Sequence, residues 1–225
     1  MKLVISPSKL EKWRYHFRYP DTVTFKDLVD YLEGKQTYTQ KATAGTAYHE
    51  LLENGCGQYW NDVERKYIVP FPDINRFHAF EQSEILPVLQ FRKSYPHITH
   101  EKKLYHTLHI GRYEILIPMR IDGLNGIVCH DHKYIVRLDP DIEGYMDSYQ
   151  WKIYLMATGC KVFQYNLFWQ QPEDQDALGK PREICWFPFY LYPYQQMIQD
   201  IHNGYSQFIN FLIESDLLHL VKSKY

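Results

Sequence analysis

Asp122, Asp131 and Lys133 lie close together in the segment MRIDGLNGIVCHDHK that starts at Met119, and their types can do chemistry together. Asp131 and Lys133 are two apart, so on a strand both side chains leave the same face. Asn125-Gly126, set between two β-prone runs, is a strong hairpin signal and predicts arms at 117–124 and 127–135. Such a hairpin brings Asp122 alongside the other two. Two carboxylates and an ammonium at one spot can hold a hard divalent cation against a phosphate. The cation polarises the phosphate and lowers the pKa of a bound water, and a lysine beside it offsets charge growing on the phosphate oxygens. The same side chains also make an ordinary cross-strand salt-bridge set, and these residues alone do not choose between the two readings.

Other candidates lie further along the chain. His49 sits beside the apolar stripe Ala44, Ala47, Tyr48, Leu51, Leu52 and Tyr59 of a helix predicted over 44–60, with Glu53 one turn later on the same side. A neutral imidazole there can bind a metal and Glu53 can orient it, although a lone histidine beside a core face is more often structural. Gln150 and Tyr154 share one face of a helix predicted from Asp147 or Ser148 to Thr158 and stopped by Gly159. Their polar ends suit contact with phosphate or base, and a half-buried tyrosine with a satisfied hydroxyl explains the pair equally. His97, His100, His106 and His109 fit no common zinc spacing and read as ordinary loop and strand histidines. Cys56, Cys129, Cys160 and Cys185 are scattered without a CxxC, which speaks against a disulfide framework or zinc ribbon.

Taken in chain order, five segments resemble the motifs of the RecB-like branch of the PD-(D/E)xK nuclease superfamily. Ser6-Pro7-Ser8-Lys9-Leu10 is similar to its SxSxL helix start and Gly45-Thr46-Ala47-Tyr48-His49 to its GxxxH helix. Arg120-Ile121-Asp122 and Asp131-His132-Lys133 resemble the two core motifs, and Gln150-Trp151-Lys152-Ile153-Tyr154 the trailing QxxxY helix. Each match is weak alone, and their order over residues 6–154 makes them specific. The resemblance implies an α/β, restriction-endonuclease-like fold, a mixed central sheet flanked by helices, as one domain over 1–225. It further implies a Mg²⁺- or Mn²⁺-dependent deoxyribonuclease, an exonuclease rather than an endonuclease, serving DNA repair, recombination or phage replication. Asp122, Asp131 and Lys133 would be catalytic; His49, Asp122, Asp131 and the carbonyl of His132 would hold the metal. Gln150 and Tyr154 would contact DNA and brace the site. Glu101 resembles the acidic residue with which a neighbouring strand often begins in the family. Alanine at 122, 131 or 133 is expected to abolish cleavage and leave the fold largely intact. Where the family has a glycine three residues before the first aspartate, this chain has Met119. One RecB-like subgroup carries an iron–sulfur cluster on one early and three late cysteines; here the early position reads YHFRYP at 15–20 and no cysteine follows Cys185, so no cluster is expected.

The elements that must position these groups follow from patterning. Ser8 and Glu11 predict a capping box for a first helix with Leu10, Trp13 and Phe17 on one face. Its Lys9, Lys12, Arg14 and Arg18 border the DNA channel in the RecB-like branch or are simply solvated charges. A short helix over 24–33 has Thr24 as cap and Gly34 as stop; 35–43 reads as a loop and 62–73 as a connector. The next stretch, 74–95, reads as a helix with Phe77, Phe80 and Leu89 inward and Pro87 as a kink. Strands are predicted at 101–110 and 112–118, an acidic turn at 138–145, and strands at 161–169 and 183–191 around a polar loop at 170–181. A last helix from Pro193 carries Met197, Ile201, Tyr205, Phe208 and Leu212 on one side.

Composition bounds the partners. A formal charge of −2 counts against holding DNA by bulk electrostatics and leaves room for a cationic channel on an otherwise acidic surface. No apolar run approaches the ~20 residues of a membrane span, and the apolar N-terminal stretch is too short for a signal peptide, so a cytoplasmic protein without a membrane partner is expected. DNA is the expected partner. A helicase or recombination partner would be a separate chain, since no GxxxxGK[ST] is present; the oligomeric state stays open. The rival from another class is a nuclease-fold module that binds nucleic acid or protein without cutting. The acidic charge and Met119 favour it, and the intact His-Asp-Asp-Lys set disfavours it. A hydrolase of small phosphate esters is a third reading.

Overall fold

The computed structural model describes residues 1–35, 40–71, 75–135, 139–171 and 183–223. Its centre is a six-stranded mixed sheet in the order β1 (Lys2–Val4), β6 (Tyr113–Asn125), β7 (Val128–Ile135), β8 (Val162–Gln170), β9 (Ile184–Leu191), with β5 (Thr99–Ile110) also paired to β6. Because β5 runs antiparallel along nearly all of one edge of β6, β1 and β7 share the other edge, one after the other. β1 lies parallel to residues 114–116, and β7 lies antiparallel to residues 123–125. β7 and β8 pair in parallel through a crossover holding α5 (Asp139–Met146) and α6 (Tyr149–Thr158).

Helices flank both faces, as expected for the class. α1 (Pro7–Arg18), α6 and α7 (Met197–Glu214) cover one face, where Leu10, Trp13, Trp151, Tyr205 and Phe208 meet Ile115, Ile117 and Phe163. α3 (Gln40–Asn54) and α4 (Leu86–Ser94) cover the other with Tyr48, Leu51, Val88 and Phe91 against Phe168. Each such fully buried side chain stabilises by roughly 1.5–3 kcal/mol relative to exposure. Among the described residues no helix is long and apolar enough to cross a membrane.

Both strands of the β5–β6 pair bend at one point. Ile121 and Leu124 are three apart, which on a straight strand would send them to opposite faces, yet both pack on the α1–α6–α7 side. The register pairs His100 with Gly123 and Lys102 with Ile121, and the Glu101–Asp122 pair between them is skipped. There Glu101 adopts φ +49, a left-handed value. Gly123 permits the bend: a Cβ at that position would stand 2.4 Å from Ile98 Cδ1 and 3.3 Å from His130 Cβ.

Several local expectations change. The cap of α1 is Ser6, whose side chain accepts from Lys9 N, while Pro7 opens the helix where no N–H is needed and Ser8 hydrogen-bonds Ser6. Phe17 is exposed. Thr24 caps α2 (Phe25–Leu32) in a capping box with Asp27. α3 starts at Gln40 and stops at Asn54, because Gly55 takes φ +85; residues 36–39 of the expected loop lie outside the described residues. The connector contains β3 (Lys66–Phe71), which joins β2 (Trp60–Asn61), just ahead of it, and β4 (Arg76–Phe80) in a three-stranded antiparallel sheet. The stretch 74–95 is therefore not one helix: Pro87 belongs to the first turn of α4, and Phe77 and Leu89 point outward while Phe80 is buried. The acidic turn is α5 from Asp139 onward. The polar loop beyond Gln171, up to residue 182, lies outside the described residues, as does Leu138.

Candidate active site

The bend delivers Asp122 to the hairpin partner. Beyond Gly123–His130 the β6–β7 ladder stops, and Asp122 Oδ2 accepts the backbone N–H of His132 at 2.7 Å. The turn itself has Gly126 at φ +58 between the paired Asn125 and Val128. On β7, Lys133 Nζ stands 2.6 Å from Asp131 Oδ2, as the two-residue spacing predicts. The other oxygen of Asp131 accepts from Gln150 Nε2 at 3.0 Å. Gln150 also donates to Tyr154 Oη at 3.2 Å, and Tyr154 donates to the carbonyl of Arg120 at 2.9 Å. The Gln150–Tyr154 face of α6 thus ties both acid-bearing strands together. Ser148 caps that helix and Gly159, at φ +70, ends it.

α3 brings His49 to the same place, with Nδ1 3.6 Å from Asp122 Oδ2 and a ring bond to the backbone of His132. Burial and the Lys133 ammonium lower the His49 pKa to about 4, so the ring is neutral at ordinary pH. Burial raises the Asp122 pKa from its ordinary value and pushes Asp131 up to about 6, against the pull of Lys133. Burial alone would lower Lys133, but the Asp131 and Asp122 carboxylates hold it above its ordinary value. The side chain of His132 itself turns away: it is buried against Phe91 at 4.8 Å, with both ring nitrogens unpaired among the described residues, so only its backbone serves the site.

Glu53 and Glu101 complete the rim. Their carboxyls share a hydrogen bond, and burial together with Glu101 raises Glu53 to about 7. Arg120 is ion-paired with Glu101 and lies 4.0 Å from Glu53 Oε2. These groups, with His49, Asp122 and Lys133, line a cavity of 580 Å³. A second cavity of 440 Å³ adjoins it at Arg120 and is lined by Ser6, Ser8, Lys103, Tyr105, Gln150 and Tyr154 among others. The five motif segments therefore meet along one groove. Met119 contributes little there, because its side chain is buried in the main core and only edges the second cavity.

Among the described residues no three His, Cys, Asp or Glu side chains are placed so that together they could hold a metal ion. By donor type alone the set suits a hard divalent ion. It combines two carboxylates, a neutral imidazole and a backbone carbonyl, and the raised carboxyls mark buried negative charge short of compensation. Sequence reasoning missed two contributors. Arg120 lay inside a recognised motif without a role. Glu11 accepts the backbone N–H of Tyr149, capping α6 from α1, and also holds Arg14, which donates to the carbonyl of Gly144. Arg14 and Arg18, the latter paired with Asp147, are thus engaged in helix–helix contacts.

No protein-family model matches the chain, and no curated protein matches it in sequence. The crystal structure of SSO0001 is similar with a TM-score of 0.53 at 12% identity, over 94% of this chain and 77% of that one. An alkaline exonuclease from Laribacter hongkongensis (LHK-Exo) gives 0.47 at 14% identity, and its complex with dAMP 0.43 at 13%, each over 96% of this chain and 90% of the other. At these identities the likeness to SSO0001 is one of fold alone.

Proposed function

We propose that the chain is a divalent-metal-dependent deoxyribonuclease of the RecB-like branch, working as an exonuclease. The observation that carries this reading is the convergence of Asp122, Asp131, Lys133 and His49 at the strand bend, with Gln150 locked onto Asp131. Asp122, Asp131, His49 and the His132 carbonyl would hold Mg²⁺ or Mn²⁺, which when bound supplies Lewis-acid polarisation and a water of lowered pKa. Lys133, anchored by Asp131, places its ammonium where negative charge develops on a phosphate. Arginine would serve poorly there, since its planar fork is not the compact, rotatable donor that the pocket holds. Gln150 keeps the Asp131 carboxylate from rotating, and Tyr154 keeps Gln150 in place. The preference for ends, a helicase or recombination partner and a cytoplasmic setting rest on the RecB-like resemblance.

The test is incubation of linear and circular DNA, single- and double-stranded, with Mg²⁺, Mn²⁺ or EDTA, beside Lys133→Ala. The expected result is metal-dependent loss of linear DNA, lowered about 100-fold or more in the variant. Cutting of circles would make the chain an endonuclease. Undiminished cleavage by Lys133→Ala would refute the site. DNA bound but uncut with every metal would favour the binding module.

A further inference from the structure

Cross-strand neighbours on β5 and β6 form an unusual ladder. Lys103 stands directly opposite Arg120, and Tyr105 opposite Pro118. All four line the second cavity, and no carboxylate is among the described residues lining it. Like charges directly opposite one another destabilise a sheet, and among the described residues the ion pair to Glu101 offsets Arg120 but not Lys103. Two residues further along, roughly 7 Å by strand rise, lie Glu101 and Asp122 at the bend. An acidic position is thus followed by a cationic rung and then by Tyr105, which is 69% exposed.

Arg120 can answer to either side. Its carbonyl is fixed by Tyr154, but 61% of its side chain is exposed, and its guanidinium rests on Glu101 beside Glu53. Carboxylate and phosphate present matching oxygen pairs to the same guanidinium fork. Resting on the nuclease reading, we propose that Lys103 and Arg120 form a clamp for one backbone phosphate of the substrate strand, next to the reacting position. Glu101 holds Arg120 out of that clamp until the phosphate displaces it. Glu101 therefore opposes substrate binding, the reverse of what a metal ligand or DNA-contacting group would do.

The experiment is fluorescence anisotropy of a labelled single-stranded oligonucleotide in EDTA across a salt series, with wild type, Arg120→Ala, Glu101→Gln and the double variant, each checked for an unchanged thermal transition. Arg120→Ala should weaken binding about ten-fold and flatten the slope of log K against log salt by about 0.7. Glu101→Gln should tighten binding several-fold, and this gain should vanish in the Arg120→Ala background. A gain that persists unchanged in the double variant, or an Arg120→Ala protein that binds like wild type, overturns the clamp while leaving the nuclease reading standing. Failure of the wild type to bind any oligonucleotide overturns the clamp, and the metal-dependent cleavage assay then decides the nuclease reading separately.

Discussion

Gln150 and Tyr154 make the most direct residue-scale test, because their bonds lead to Asp131 and Arg120. Gln150→Ala leaves one Asp131 oxygen without its donor. Cleavage should fall about 10-fold, in kcat with KM nearly unchanged, since the lost contact orients a reacting group. Tyr154→Phe removes the hydroxyl that Arg120's carbonyl relies on and should cost about 1 kcal/mol in urea unfolding. Both residues were legible in the sequence because i and i+4 positions on a helix share a face. What was not legible is which atoms they hold: Gln150 binds one oxygen of Asp131 and Tyr154 the carbonyl of Arg120, while both also line the second cavity.

At the scale of elements, α6 is held from two sides. Glu11 caps it from α1, and Tyr149 packs its ring over Gly204 of α7. A Cβ at 204 would come within 2.6 Å of two ring atoms of Tyr149, so Gly204→Ala should destabilise by about 1–3 kcal/mol, read as a lowered Tm. Helices α2 and α6 and the β6–β7 hairpin could be read locally, since Thr24, Ser148, Gly159 and Asn125-Gly126 carry their own punctuation. The small β2–β4 sheet could not. Pro70 lies inside β3, where a proline normally argues against a strand; it is tolerated because β2 pairs only with Lys66 and Tyr67 and leaves that end of β3 open on one side. The bend at Glu101 and Asp122 was equally hidden, because a glutamate does not announce the left-handed backbone that Glu101 adopts.

For the molecule as a whole, the sheet order and both apolar layers were foreseeable only as a class. The contacts that fix them span most of the chain: Glu11 to Tyr149, Tyr205 to Ile5, β1 to β6. No local pattern encodes such separations. The cysteines offer a global check on this packing. Cys56, Cys129 and Cys160 are buried and Cys185 is half-buried, and burial pushes the Cys56 thiol up to about 11 and that of Cys129 further still. At pH 8 a maleimide should label Cys185 first and the others only after unfolding, as followed by mass spectrometry. Equal rates at Cys129 and Cys185 would contradict the main core.

The bond from Asp122 to the His132 N–H bears on how such a chain would drift over generations. A lineage that lost cleavage but kept its shape would still need an acceptor at 122, and Asn would do; alanine there would strand a donor at a cost of about 1–3 kcal/mol. The backbone makes no comparable demand on Lys133, whose ion pair is with Asp131. Joint retention of Lys133 and Asp131, a pair that apolar side chains could replace together without folding cost, would therefore mark a line still under selection to cut more clearly than retention of Asp122.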